Sequence, residues 1–154
     1  MAIDFKLNQD KGYFDIDIEN GDFAKTDSLD TAVYMSVFCD KRANAVSEPT
    51  LRRGHFTNQF SRVSGYEVGS LLWLHTNQAK NINTSLIESA VKDGLRWLID
   101  DEIISKTNVK ATKSNTQVNI EIDLINKFQS NSKYYNLFVN LWLNFLQYHK
   151  FNKE

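Results

Sequence analysis

NTSLIESAVKDGLRWLIDDEIISKTNVKATKSNTQVNIEIDLI, residues 83–125, sets the fold class. Its first half has a helical period. Ile87, Val91, Leu95 and Leu98 recur at three- and four-residue steps, which lines one face of an α-helix over 83–103. Asn83 or Thr84 stands where a capping side chain accepts a free backbone N–H of the first turn. The second half changes period to two. Val118, Ile120, Ile122 and Leu124 alternate with Asn119, Glu121 and Asp123, so 117–125 reads as a strand with one buried face. With IISKTNVKAT (103–112) before it and KSNT between, it forms a hairpin. A long helix followed by an antiparallel pair predicts an α+β fold.

The segments on either side extend this pattern. In YFDIDIENGDFAK (13–25), Phe14, Ile16 and Ile18 alternate with Asp15, Asp17 and Glu19, as in a half-buried strand. Asn20-Gly21 is a strong hairpin signal, with Phe23 on the return strand. TDSLDTAVYMSVFCDKR (26–42) reads as a helix capped by Asp27 or Ser28, with Leu29, Val33, Val37 and either Ala32 or Ser36 inward. GSLLWLHTN (69–77) is short, apolar and helical. SKYYNLFVNLWLNFLQYHKF (132–151) reads as an amphipathic helix. Tyr134, Phe138, Leu141, Trp142, Phe145 and Tyr148 or His149 line one face of it, and Asn136, Asn140, Asn144 and Gln147 the other. The expected architecture is a small antiparallel or mixed sheet built from an N-terminal and a C-terminal hairpin, with helices on one face. That domain spans 1–125, and an aromatic helical extension spans 126–154.

At 154 residues the chain fits one domain with a real core. Eighteen basic residues against nineteen acidic ones leave a net charge of -1, which argues against general nucleic-acid binding. The one cysteine, Cys39, excludes an intramolecular disulfide; at the end of an apolar helical pattern it reads as a buried thiol, which fits a protein assembled inside a cell. MAIDFKLNQD has no basic stretch followed by an apolar one, so no signal peptide is expected, and no run is long enough for a membrane span.

The chemistry concentrates in SEPTLRRGHF (47–56), inside an aperiodic connection over 43–65 that holds the only proline. His55, His75 and His149 lack the i+3 or i+4 partners of a zinc site, and there is no glycine-rich phosphate loop, so no metal or cofactor is expected. Glycoside hydrolysis needs a carboxylic acid with a raised pKa. Glu48 lies close in sequence to Arg52 and Arg53, and positive charge lowers a carboxylate pKa. A guanidinium fork suits recognition better. Pro49 stiffens the loop before the arginines and Gly54 permits a tight turn after them. A charged recognition hook and a solvated loop with an arginine paired to Glu48 remain equally open readings.

DIENGDFAKTDSLDTAVYMSVFCDKRA, LRRGHF, GSLLWLH and a helix ending GLRWLIDDEI stand here in an order that resembles the Mu-type phage baseplate protein family, a branch of the baseplate wedge family of contractile tails. The family pattern has a Gly-Asp turn before an L-x-T-A-V helix, an aspartate with basic residues at the helix end, R-R-G followed by two aromatics (His55 and Phe56 here), G-S-x-L-W, and a W-L helix followed by acidic residues. The similarity runs from about residue 13 to 124. Glu48-Pro49 followed by Arg52 or Arg53 resembles a stretched form of the Glu-Pro-Arg signature of the wider family.

The resemblance implies a virion structural protein of the tail baseplate, assembled in the host cytoplasm and not an enzyme. Its partners would be other wedge proteins, tail sheath subunits and hub or tube proteins, in a sixfold arrangement, with no nucleic acid or membrane. Glu48, Pro49, Arg52, Arg53, Gly54, His55 and Phe56 would bind neighbouring wedge subunits. The closing hairpin, at Val118, Asn119, Ile120, Glu121 and Ile122, would offer an open edge to a sheath strand. The alternatives are a peptidoglycan-degrading tail lysozyme, a label some members carried, or an unrelated protein-binding adaptor.

Overall fold

The computed structural model describes residues 4–8, 15–26, 29–44, 52–60, 67–76, 82–115, 117–127 and 132–140. The α+β expectation holds. Among these residues six short strands come first: β1 (Asp4–Phe5), β2 (Leu7–Asn8), β3 (Asp15–Ile16), β4 (Ile18–Glu19), β5 (Asp22–Phe23) and β6 (Lys25–Thr26). Helices α1 (Asp30–Phe38), α2 (Leu72–Thr76) and α3 (Thr84–Asp100) follow, and then β7 (Ile104–Lys113), β8 (Gln117–Asn126) and β9 (Ser132–Asn140).

The N-terminal strands pair antiparallel as β1 with β6, β2 with β3 and β4 with β5. Asn20 and Gly21 both take positive φ (55° and 81°), as the expected tight hairpin turn requires. The hairpin lasts only two residue pairs because three segments then exchange partners. Lys6 N–H donates to the Ala24 carbonyl, Asp17 N–H to that of Lys6, and Ala24 N–H to that of Asp17, at 2.8–2.9 Å. Ala24 is buried at this junction, where three backbones leave room for a small side chain. The expectation of a half-buried face therefore fails for Ile16 and Ile18, both exposed; Phe14 lies outside the described residues. Nor do the two hairpins share a sheet.

The C-terminal sheet has the order β7-β8-β9, antiparallel throughout. Val118, Ile120, Ile122 and Leu124 of β8 are buried as expected, with Val109 and Ala111 of β7 and Tyr135 and Leu137 of β9 on the same face. Asn83 caps α3 by accepting from Ser85 N–H at 3.0 Å. Ile87, Val91, Leu95 and Leu98 complete the core with Val33 and Val37 of α1. Lys133 bridges to Asp30 at 2.8 Å and Tyr135 meets Tyr34 edge-on, which ties β9 to α1.

β9 corrects the expected C-terminal helix: residues 132–140 are extended, and 141–151 lie outside the described residues. The stretch SKYYNLFVN satisfies both periods, since Tyr134 and Phe138 are four apart while Tyr135 and Leu137 are two apart. Aromatic and β-branched residues favour a strand, and asparagine is a poor helix former. β8 resolves the choice with a complete ladder from Gln117↔Asn140 to Ile125↔Ser132. β9 thus belongs to the main sheet although it falls within the expected extension.

Candidate functional site

The site is assembled from four separate parts of the chain around a tight backbone contact. After α1, Cys39 turns extended and Asp40 bridges Ser70 in parallel. Ser70 N–H donates to the Cys39 carbonyl and Lys41 N–H to the Ser70 carbonyl, both at 2.9 Å. Gly69 sits at φ +106° with the Cys39 carbonyl oxygen where a Cβ would be, so no other residue fits without movement. Gly94, in the middle of α3, lies equally close: a Cβ there would stand 2.6 Å from the Ser36 carbonyl oxygen and 3.0 Å from Ser70 Cβ.

Ser70 is fully buried and fully used. Its hydroxyl donates to the Val37 carbonyl (2.6 Å) and accepts from Leu72 N–H (3.1 Å), which joins the end of α1 to the start of α2. Trp97 Nε1 donates to Ser36 Oγ at 2.9 Å and locks α3 to the same place.

Onto this base the arginine loop is pinned. Trp73 Nε1 donates to the Lys41 carbonyl at 3.0 Å, and the indole ring carries the Arg53 guanidinium 4.7 Å from its centroid. Arg53 Nη1 donates to Asp40 Oδ2 at 3.1 Å. Such a pair, about 30% exposed on both sides (27% and 33%), is worth roughly 1 kcal/mol or less, with ~0.5–1 more from the ring. Arg53 itself takes φ +48°, uncommon outside glycine, and Gly54 follows at +127° against Arg42. Ala43 N–H donates to the Arg52 carbonyl (2.9 Å), so 41–43 and 52–53 run side by side. Asn58 closes the far end, donating to the Val68 carbonyl (3.1 Å) and accepting Val68 N–H (2.9 Å). His55 packs on Phe56 with ring centroids 4.7 Å apart.

Arg53 is thus engaged by Asp40 and Trp73 inside the chain, and it does not reach outward as a hook. Glu48 and Pro49 lie outside the described residues. Arg52 and His55 are half-buried, while Gly54 and Phe56 are exposed. Cys39, at the edge of this cluster, is half-buried; burial and then the Asp40 charge push its thiol pKa up.

The expected sheath-strand edge is also placed differently. Val118, Asn119, Ile120, Glu121 and Ile122 lie on the central strand, hydrogen-bonded to β7 on one side and β9 on the other, so β8 has no open edge. Among the described residues the sheet's edges are β7 and β9. Glu88 of α3 reaches over β7, its Oε1 accepting Ala111 N–H at 2.9 Å. Among the described residues no strand pairs with the outer edge of β9.

In the sequence the aspartate at the helix end, the R-R-G and the G-S-x-L-W are separate landmarks. In the structure they are one cluster: Asp40, Arg53, Gly69-Ser70 and Trp73. The whole cluster falls within residues 29–131, which match the phage protein GP46 family. That match covers two-thirds of the chain, and the protein belongs to this family of phage proteins. No curated protein matches it. Among the described residues no helix is long and apolar enough to cross a membrane, and no group of three or more histidine, cysteine or acidic side chains could hold a metal ion.

Proposed function

We propose that this phage protein is an inner wedge component of a contractile-tail baseplate and seats the first tail sheath subunits by strand addition. The observation that carries the reading is the asymmetry of the two sheet edges. An unguarded edge presents a row of backbone donors and acceptors to an extended segment. β7 is covered by Glu88 and lined by exposed Lys106, Lys110 and Lys113, a charge pattern that discourages pairing. β9 has one lysine, Lys133, and that is drawn back to Asp30. The edge offered to a sheath strand is therefore β9, residues 132–140.

In this reading the loop around Arg52–Phe56 meets neighbouring wedge proteins, the hub or tube stands nearby, and the role is structural, not catalytic. Amide hydrogen exchange tests the edge directly. In the isolated protein the outward amides of 132–140 exchange freely; added tail sheath subunits slow them while β7 amides stay unchanged. Exchange in β9 that is indifferent to sheath subunits, or sheaths that start normally on particles lacking the protein, would refute the proposal.

A further inference from the structure

Phe56 and Phe60 are the two most exposed large apolar residues among those described, at 66% and 77%. They stand four residues apart: Phe56 opens a 3-10 turn, Phe56–Gln59, and Phe60 follows it directly. Large aromatics left in water are costly unless a partner covers them. These two do not sit on a slack loop. Arg53 is fixed ahead of the turn by Asp40 and Trp73, and Asn58 is hydrogen-bonded twice to the Val68 backbone within it. Rigid aromatics held ready make the strongest contacts at protein interfaces, because little ordering remains to be done on binding.

The surroundings define the partner's charge. Residues 40–44, 52–60 and 67–68 hold four cations, Lys41, Arg42, Arg52 and Arg53, against two anions, Asp40 and Glu67. Arg53 is paired with Asp40, and Lys41 stands 3.9 Å from Glu67. Arg42 is exposed, beside Gly54, and forms no ion pair among the described residues. The patch is basic on a chain whose net charge is -1.

We infer that the Phe56–Phe60 turn is an anchor that inserts its two rings into an acidic, apolar-pocketed surface of another protein of the same particle. This rests on the proposed structural role and assigns the docking chemistry of the loop. It gives Arg53 a positioning role and moves direct contact to Phe56, Phe60 and Arg42.

The test places the photo-cross-linker p-benzoylphenylalanine at position 56 or 60 of the full chain, assembles particles and maps the linked peptide by mass spectrometry. The expected product joins the turn to an acid-rich peptide of a different particle protein. The Phe56→Ala/Phe60→Ala variant should lose incorporation into particles by about tenfold or more, the scale of an interface anchor, with an unchanged unfolding midpoint. Arg42→Glu should also reduce incorporation and Arg42→Lys restore it. Links only to the chain itself, to a second copy or to a basic peptide overturn the inference, as does full incorporation of the double alanine variant; both leave the structural role standing. A wild-type chain absent from purified particles removes that role, and the inference with it.

Discussion

Replacing Gly94 by alanine should destabilise this protein, although the same change in the middle of most helices does the opposite. Alanine is favoured over glycine in a helix interior by about 1 kcal/mol. Here the added Cβ would stand 2.6 Å from the Ser36 carbonyl oxygen, about 0.8 Å short of ordinary contact, and 3.3 Å from that of Gly69. Both obstacles are backbone, so neither can swing aside. α3 must move away from the end of α1 and from the Gly69–Ser70 turn together. Overpacking of this kind costs about 1–3 kcal/mol. The separation also stretches the Trp97–Ser36 hydrogen bond, worth roughly 1 kcal/mol. After the helical gain is subtracted, the net loss is about 1–3 kcal/mol. Urea unfolding followed by tryptophan fluorescence measures it, with an unchanged slope as the sign that only stability has moved. Ser89→Ala, on the exposed side of α3, is the control and should stabilise by about 0.5 kcal/mol. A Gly94→Ala protein as stable as the wild type would refute the close approach.

Ser70→Ala leaves the Val37 carbonyl and the Leu72 N–H without their buried partner and should cost about 1–3 kcal/mol in the same assay. Arg53→Ala should cost about 1–2 kcal/mol, and Arg53→Lys recover only part of it, because an ammonium cannot lie flat on Trp73; a double-mutant cycle with Asp40→Asn isolates the ion pair. Cys39 should react with a thiol reagent more slowly than the unfolded chain at pH 8, since its raised pKa keeps it protonated; its neutral form stabilises the fold until pH rises through that raised value. The half-buried Asp17 carboxyl is held below its ordinary pKa by the Lys6 hydrogen bond. Its contribution is present above the ordinary carboxylate value and lost as pH falls through the lowered one, and Lys6→Ala should return its NMR titration to the ordinary range.

The parts of the fold that follow from local period were legible. α3, its Asn83 cap, the inward set of β8 and the Asn20-Gly21 turn each depend on neighbours within one element. Ser36, one of two options for the α1 stripe, is buried, and its hydroxyl takes the Trp97 hydrogen bond. What could not be read was set by long-range partners. Residues 132–140 carry two periods at once, and only the ladder to β8 decides between them. Ile16 and Ile18 alternate as a buried face should, yet the three-way exchange at Lys6, Asp17 and Ala24 leaves them exposed. For the loop, the pairing of Arg53 with Asp40 joins residues thirteen apart, and its ring support comes from a third segment. A signal was present in the fixed order of the aspartate, R-R-G and G-S-x-L-W landmarks, but order alone does not say that they touch.

Their contact gives the cluster a direction of dependence. α3 sets where Ser36 and the Gly69–Ser70 turn sit, through Gly94 and Trp97. That turn sets Asp40 and Trp73, through the parallel bridge and the start of α2. Asp40 and Trp73 in turn set Arg53, and Arg53 sets the Gly54–Phe56 turn. A change early in this order must reach the loop, whereas a change at Arg53 need not reach the core. Gly94→Ala should therefore increase amide exchange both in α1 and at Phe56–Gln59, while Arg53→Ala should increase it only in the loop. The phenylalanines are presented by the same packing that closes the core, so the geometry of the proposed docking loop depends on residues far beyond it in sequence, Gly94 and Trp97 of α3.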